Sequence, residues 1–360
     1  MAAVQVVRAI GVLEPGGAQL SALRLSRALR THGIETTLLA GDASPAGLEM
    51  ARAHGFEVEH YAEVRNLQWE PCDGFAEWLA ERIAGADLVH GHMFGAWWAA
   101  ARAAPTHVPV VASEHNALHW PRTAYDDAAA GVAPRLHCFF GHGPETRAWA
   151  ARIGVPGERI TAGESAIDGL DGRPQADLPS PRITYAGRFA ADKGPDVLVE
   201  ALGMLADAPP TYLLGDGEMR AALEHQVASL ELGDVVRFSG WQANPERFIA
   251  GATVHVVPSR QDAWSQSAAL AMGLGVPVVA SAVEGLPETL AEDRGILVPA
   301  EEPRPLAAAI GEVLAGRCSS DLEGARAYAQ RFTPDRVAAR YASVYRTLVG
   351  ADSEAVRPAA

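Results

Sequence analysis

The chain of 360 residues is 48% hydrophobic and 21% charged, which suffices for two domains with their own cores and excludes a disordered chain. Its 44 acidic and 30 basic residues give a net charge of −14, so neither nucleic acid nor an anionic membrane is predicted as a partner. Three separated cysteines, Cys72, Cys138 and Cys318, and an amino terminus without a secretory pattern favour reduced thiols in the cytoplasm.

Short runs rich in β-branched residues alternate with helical patterns along the first half of the chain. The predicted strands cover 4–10, 35–40, 56–60, 87–90, 108–113 and 135–141, and the predicted helices cover 18–30 and 74–83. This alternation is typical of a parallel, doubly wound sheet. Between 168 and 181, Gly and Pro among polar residues interrupt the periodicity, which predicts a linker between two domains.

A second alternating series follows the linker. Its predicted strands are 183–186, 211–215, 235–239, 254–258 and 276–280, and its predicted helices are 196–205, 218–230, 244–250, 268–274 and 303–315. Two sheets of one class predict two similar α/β domains that face each other across a ligand cleft. The predicted domains are 1–170 and 171–333, followed by a helix over 334–350 that returns to the first domain and a frayed tail over 351–360.

Lysine occurs once in the chain, at Lys193, although 30 residues are Lys or Arg. A genome rich in G and C explains why lysine is scarce, but it does not explain the one exception. Lys193 and Arg188 lie between a predicted strand and a predicted helix, where helix amides also point outward. Two cations there predict a site for a diphosphate, and the alternative is a basic cap over surface carboxylates.

The turn after the predicted strand 254–258 is a second candidate anion site. Its backbone amides around Trp264, Ser265, Gln266 and Ser267 can cradle a phosphate. The carboxylate of Asp262 can accept hydrogen bonds from the hydroxyls of a sugar. The alternative is that Asp262 caps the helix that follows.

The first domain carries weaker signals. Adjacent Gly16 and Gly17 join the first predicted strand to its helix and let the backbone approach a ligand closely. His90, His92 and His115 end or follow predicted strands, which makes one of them a candidate substrate contact. Their spacing predicts no metal site, and the chain has no Asp-x-Asp pair for a metal-bound nucleotide diphosphate.

In this order and spacing the motifs resemble a glycosyltransferase of the two-domain GT-B architecture, in the large retaining family 4. The matching fragments, spread over nearly the whole chain, are 16–19, 87–92, 113–116, 187–194, 215–217 and 273–280. The resemblance implies an α/β fold with two Rossmann-like domains. It also implies a hexosyltransferase that uses a nucleotide-sugar donor, retains the anomeric configuration and needs neither a metal nor another cofactor.

The resemblance assigns roles to particular residues. It implies that Arg188 and Lys193 bind the donor diphosphate, that Gly17 donates its amide to the donor, and that His115 lies beside the transferred sugar. Asp262 stands where the family has a glutamate that holds sugar hydroxyls. Leu270 stands where the family has a second glutamate, which holds the nucleotide ribose.

Leu270 accepts no hydrogen bond, which removes about 1.5 to 3 kcal/mol from ribose recognition.

The predicted catalytic residues are His115, Asp262, Arg188 and Lys193. The predicted donor site comprises Gly16, Gly17, Arg188, Lys193, Gly215, Asp262, Trp264, Ser265, Gln266, Ser267 and Leu270.

The acceptor is predicted to be a soluble small molecule, such as an intermediate in natural-product or glycoconjugate assembly. Net acidity disfavours a lipid acceptor, and no stable membrane association is expected, since Gly, Pro and Ser interrupt the uncharged stretch 263–283. Candidate acceptor contacts are His92, Trp97, Asn116 and His119, with core packing as the alternative for the tryptophan.

Other functions are compatible with this architecture. Leu270 favours a binding or regulatory subunit that has lost turnover, and a nucleotide-sugar epimerase is a further alternative. A dehydrogenase is disfavoured because no Gly-x-Gly-x-x-Gly follows the first strand. The sequence does not indicate an oligomeric state.

Overall fold

The computed structural model describes residues 3–61, 70–115, 122–170, 175–317 and 320–355. The chain divides into an N-terminal unit, Met1–Ala166 with Pro334–Ala360, and a C-terminal unit, Ile167–Thr333. The division thus falls after Ala166 rather than after residue 170. Asn116, His119 and Cys318 lie outside the described residues.

The N-terminal unit is built on a seven-stranded sheet, in which every described pairing is parallel. Its strands are β1 (Val4–Leu13), β2 (Ile34–Ala43), β3 (Val58–His60), β4 (Leu88–His92), β5 (Val110–Glu114), β6 (Leu136–Gly141) and β7 (Ile160–Ala162). They lie in the order β3-β2-β1-β4-β5-β6-β7. β1 is buried along most of its length because helices cover both faces of a parallel sheet.

The C-terminal unit repeats this plan with a six-stranded parallel sheet. Its strands are β8 (Ile183–Ala186), β9 (Thr211–Leu214), β10 (Val236–Gly240), β11 (Val254–Val257), β12 (Val278–Ser281) and β13 (Ile296–Val298). The order is β10-β9-β8-β11-β12-β13, so the strand order reverses between β8 and β11. Ligands of doubly wound sheets bind beyond the carboxyl ends of the strands at such a reversal.

Helices connect the strands in both units. In chain order they are α1 (Gly17–Leu29), α2 (Pro45–Ala53), α3 (Asp73–Ala80), α4 (Phe94–Ala103), α5 (Arg122–Val132), α6 (Pro144–Arg152), α7 (Pro195–Leu202), α8 (Arg220–Ser229), α9 (Glu246–Ile249), α10 (Gln266–Gly273), α11 (Leu286–Thr289), α12 (Pro303–Leu314), α13 (Leu322–Ala329) and α14 (Pro334–Ala355). α14 packs against α1 in the N-terminal unit. It continues through Ala355, so the prediction of a frayed tail from residue 351 is wrong for its first five residues.

Each unit has its own apolar core. Trp97, Phe139 and Trp149 pack together beneath the first sheet, and aliphatic side chains of α7, β11 and α12 fill the core of the second. Within the described ranges, no helix combines the length and apolar composition needed to cross a bilayer.

Candidate active site

The loops at the carboxyl edge of the second sheet approach one another backbone to backbone. A Cβ on Gly215 would stand 1.9 Å from the carbonyl oxygen of Gly187, and one on Gly194 would stand 2.1 Å from that of Pro258. Gly194 and Gly215 also have φ angles of +60° and +147°, which favour glycine. Only glycine therefore lets the loops after β8, β9 and β11 pack this closely.

Lys193 lies in the loop after β8, and its ammonium group contacts the loop after β11. Its Nζ donates to the carbonyl oxygen of Gln261 at 3.2 Å and lies 3.3 Å from Oδ2 of Asp262. The backbone joins the same two loops, since the amides of Arg260 and Gln261 donate to the carbonyl oxygen of Asp192 at 2.9 and 3.0 Å. The structure thus brings together the cation and the carboxylate that the sequence analysis selected.

Arg188 stands in the same loop as Lys193 but is held more loosely. Its Nη2 lies 3.0 Å from Oδ2 of Asp192, and its side chain is 55% exposed. Exposed ion pairs contribute at most about 1 kcal/mol. A ligand oxygen can therefore replace Asp192 as the partner of Arg188 at little cost in free energy.

Asp262 is buried, with 9% of its surface exposed, and its Oδ2 accepts a hydrogen bond from Ser259 Oγ at 3.2 Å. It does not cap α10. That cap is Ser265, whose Oγ accepts from the amide of Ala268 at 3.3 Å. The geometry therefore disagrees with the alternative that Asp262 is a helix cap.

The other candidates in this segment have different surroundings. The ring of Trp264 packs edge-on against Phe332 at a centroid distance of 4.9 Å. The hydroxyl groups of Ser265 and Ser267 lie 3.4 Å apart. Gln266 begins α10, and Leu270 is buried within it.

Arg260 holds the loop after β11 in place, and it is not among the residues predicted from the sequence. Its guanidinium donates two hydrogen bonds to Asp196, at 2.9 and 2.7 Å, and its Nε donates to Glu301 at 2.9 Å. The hydrogen bonds to Asp196 raise the pKa of Arg260 above its usual value. No local pattern signals this contact because Arg260 and Asp196 are distant in sequence.

In the N-terminal unit, Gly17 begins α1 and Gly16 precedes it with extended backbone. A Cβ on Gly16 would stand 2.6 Å from the flexible side chain of Gln19, whose Nε2 donates to the carbonyl oxygen of Val12 at 2.9 Å. A flexible side chain can move away from a Cβ and neither glycine has a positive φ, so the local geometry does not require glycine at Gly16.

His92 and the partly buried His115 belong to a cluster that also contains the buried side chains of Arg8 and His90. Nδ1 of His92 lies 3.1 Å from Nε2 of His115, and Nε2 of His92 is hydrogen-bonded to Nη1 of Arg8. Burial, assisted by the charge of Arg8, lowers the pKa of His115 to about 3. The cluster is therefore uncharged at neutral pH apart from the guanidinium.

Trp97 is not available for stacking on a sugar. Its side chain is fully buried in α4, and its Nε1 donates to Oε2 of Glu114 at 3.2 Å. The expectation that it contacts an acceptor is wrong, and the alternative of core packing is correct. Across the described residues, His, Cys, Asp and Glu side chains nowhere gather in a group of three that could hold a metal ion.

The sequence matches two family models in succession. One, described as Glycosyltransferase Family 4, covers residues 15–168, and the other, described as Glycosyl transferases group 1, covers residues 180–316. A D-inositol 3-phosphate glycosyltransferase of Xylanimonas cellulosilytica is 31% identical over 336 residues, which cover 87% of this chain and 79% of that protein. The chain belongs to glycosyltransferase family 4. The predicted family is thus confirmed, as is the prediction of an enzyme that transfers glycosyl groups.

Solved structures agree with the GT-B fold of this family 4 glycosyltransferase. Anabaena Alr3699/HepE in complex with UDP is 19% identical, with a TM-score of 0.81 over 96% of this chain and 100% of that one. Sucrose-phosphate synthase from Thermosynechococcus elongatus is 21% identical, with a TM-score of 0.80 over 96% and 100%. The predicted fold of two Rossmann-like domains is confirmed.

Proposed function

We propose that this glycosyltransferase moves a sugar from a nucleotide-diphosphate donor to a soluble small-molecule acceptor, with retention at the anomeric carbon and without a metal ion. Arg188 and Lys193 hold the donor diphosphate, and Asp262 accepts hydrogen bonds from the hydroxyls of the sugar. The presence of UDP in a solved relative of the same fold supports a nucleotide donor.

One observation carries the proposal: Nζ of Lys193 lies 3.3 Å from Asp262 at the carboxyl edge of the second sheet. Cations stabilise a diphosphate, and hydrogen-bond acceptors bind the hydroxyl groups of a sugar. Here both groups occupy adjoining loops at the strand-order reversal, where doubly wound sheets bind ligands.

These residues stabilise the leaving group and do not attack the sugar. As the bond from the anomeric carbon to the phosphate oxygen breaks, charge develops on the diphosphate, and the two cations stabilise it. The acceptor hydroxyl gives its proton to that departing phosphate oxygen and attacks from the same face. The carboxylate of Asp262 is paired with Lys193 and Ser259, which suits a hydrogen-bond acceptor better than a covalent nucleophile.

The names of the relatives support a class of acceptor. Proteins 27% to 31% identical to this chain are named D-inositol 3-phosphate glycosyltransferases. A cyclic polyol phosphate is soluble and small, in agreement with the acceptor expected from the acidic composition. D-inositol 3-phosphate is therefore the first acceptor to test.

Thermal unfolding of the full chain against a panel of nucleoside diphosphates and nucleotide sugars tests the donor. A preferred ligand raises the melting temperature by mass action, and we expect a smaller increase for K193M than for the wild type at the same ligand concentration. The matched control is R317A, because Arg317 is an exposed arginine of the same unit, paired with Glu312. An increase of the same size in K193M as in the wild type would contradict the assigned diphosphate site.

Product analysis then tests the chemistry. NMR of the glycosylated product should show the anomeric configuration of the donor, and initial rates should be unchanged by EDTA. An inverted product or a loss of activity in EDTA would overturn the corresponding part of the proposal. Sedimentation of the protein with anionic liposomes would count against a soluble acceptor.

Leu270 motivates the alternative of a binding subunit without turnover. Slow hydrolysis of the bound donor in the absence of an acceptor distinguishes the two functions. Release of the nucleoside diphosphate supports the transferase, whereas tight donor binding without any release supports the subunit.

A further inference from the structure

The guanidinium group of Arg8 is buried in the first sheet. Arg8 of β1 is fully buried, and among the described residues it forms no ion pair. Its Nη1 contacts Nδ1 of His90 at 3.1 Å and Nε2 of His92, and its Nη2 donates to the hydroxyl of Tyr345 at 3.1 Å. Because a buried charge without a counter-ion is costly, this arrangement requires an explanation.

The donors of Arg8 determine where the neighbouring imidazoles carry their protons. A guanidinium has no acceptor, so each ring nitrogen that faces it must accept a hydrogen bond. Nε2 of His92 therefore has no proton, and its Nδ1 carries one. That Nδ1 lies 3.1 Å from Nε2 of His115, which must accept in turn. The proton of a neutral His115 is consequently on Nδ1.

His90 follows the same rule. Its Nδ1 accepts from Arg8 and lies 2.5 Å from the hydroxyl of Tyr345, so its Nε2 carries the proton and donates to Ser113 Oγ at 2.8 Å. Neither His90 nor His92 can become an imidazolium without directing an N–H at the guanidinium. Burial is the main cause that lowers the pKa of His90 and of His92. The charge of Arg8 lowers the pKa of both further, and the proximity of His90 lowers that of His92.

Stacking against His142 fixes the orientation of the His115 ring. The ring of His115 lies on that of His142, with centroids 3.8 Å apart and an interplanar angle of 29°. His142 is itself buried, and Gly163 makes room for it, because a Cβ there would stand 2.4 Å from Cδ2 of the imidazole. His115 is only partly buried, and its Nδ1 forms no hydrogen bond with a described residue.

We infer that Arg8 is a positioning residue that acts through His92 to hold His115 as a neutral imidazole with its proton on Nδ1. His115 then offers a ligand an N–H donor, and it is neither a general base nor a cation. The suitable ligand atom is a hydroxyl or phosphate oxygen of the sugar substrates. That last step rests on the proposed function, whereas the tautomers do not.

Two-bond 1H–15N correlation spectra of the full-length protein, labelled with 15N-histidine, test the inference directly. Single His→Gln variants assign the signals. At pH 7 we expect a proton on Nδ1 of His92 and His115 and on Nε2 of His90. An Nε2-protonated or doubly protonated His115 would overturn the inference. This measurement needs neither a variant of Arg8 nor any substrate.

Variants of His92 then test the connection to His115. A glutamine side chain at this position can accept from Arg8 and donate to His115, so H92Q should keep the proton of His115 on Nδ1. A methionine side chain can do neither, so H92M should leave His115 as a mixture of tautomers. The control is R135M, since Arg135 donates to the carbonyl oxygens of Ala104 and Pro105 away from the cluster. Equal His115 spectra in H92M and wild type would contradict the proposal that Arg8 acts on His115 through His92.

Kinetics decide whether the tautomer matters for the reaction. We expect H92M to lower kcat/KM about tenfold, H92Q to recover most of that loss, and R135M to remain close to wild type. If the tautomers are as expected and H92M keeps full kcat/KM, the positioning role is wrong and the proposed function stands. If no donor is turned over by any variant, the proposed function fails while the spectra still decide the tautomers.

Discussion

Replacing Lys193 with Met removes the one ammonium side chain of the protein and leaves a side chain of similar length. At 3.3 Å and an effective dielectric constant of about 20, Lys193 and Asp262 attract each other by roughly 5 kcal/mol before screening. The lysine side chain is 26% exposed, so solvent reduces the net contribution to about 1 kcal/mol. The variant should therefore remain folded.

The effect on catalysis is expected to be larger than the effect on stability. A hydrogen bond from an ammonium group to a charged oxygen contributes about 1.5 to 3 kcal/mol, and the diphosphate gains charge in the transition state. This corresponds to a loss of about 10- to 150-fold in kcat/KM. K193R keeps the charge on a planar fork and should fall between wild type and K193M.

The assay measures the initial rate of nucleoside diphosphate release from the donor, with and without acceptor. Urea unfolding of each variant verifies that differences in rate do not reflect differences in stability. R317A is the control because it removes an exposed cation of the same unit. A K193M enzyme that is folded and retains kcat/KM within threefold of wild type would refute the assignment of the diphosphate to this lysine.

Three further predictions concern other residues. R188A should lower kcat/KM less than K193M does, by at most about tenfold, because the Arg188 side chain is 55% exposed and its charge is therefore screened by solvent. Equal losses in the two variants would contradict this ranking. Since Leu270 offers no acceptor, a 2′,3′-dideoxynucleoside diphosphate should bind within about threefold of its ribose counterpart, as measured by calorimetry, and a loss of tenfold or more would show that another residue holds the ribose. Burial lowers the pKa of His255 to about 3, below the unfolded value of about 6.5, so the unfolded chain binds a proton that the folded chain does not. The free energy of unfolding should therefore fall by about 2 kcal/mol per such histidine from pH 7 to pH 5. In urea unfolding, H255Q should lose about 2 kcal/mol less than the wild type over this pH range. Equal losses in the two proteins would exclude the contribution of His255.

The strands of the second sheet could be predicted closely from the sequence. β8 has its predicted bounds, and β11 ends one residue early, at Val257. Pro and Gly delimit these short β-branched runs, so local chemistry marks where they begin and end. β13 has three residues, too few to show a period, and the sequence analysis missed it.

α4 shows why some helices could not be predicted. Its residues Phe94–Ala103 are buried nearly all round, so it has no polar face and no amphipathic period. The same burial explains the wrong assignment of Trp97, because an aromatic residue after a strand has the same local sequence whether it faces a ligand or the core. Only the packing of α4 against β1 and β5 distinguishes the two.

The loop that carries Arg188 and Lys193 could be predicted from the sequence, whereas the histidine cluster around Arg8 could not. Lys193 and Arg188 belong to one loop between a strand and a helix, so a local pattern is enough to predict an anion site there. The contact of Arg8 with His90 depends on the pairing of β1 with β4, which places the two residues opposite each other. No local sequence pattern specifies that register. A contact between strands 82 residues apart becomes visible only in the folded sheet.

Burial gives the candidate residues of the two units opposite electrostatics. In the C-terminal unit, the side chains of Arg188 and Lys193 are 55% and 26% exposed, so both cations stay in contact with solvent. In the N-terminal unit, burial and the charge of Arg8 lower the pKa of His115 to about 3, so its imidazole is uncharged at pH 7. A permanent positive charge at Arg8 thus disfavours a second positive charge on the imidazoles that surround it.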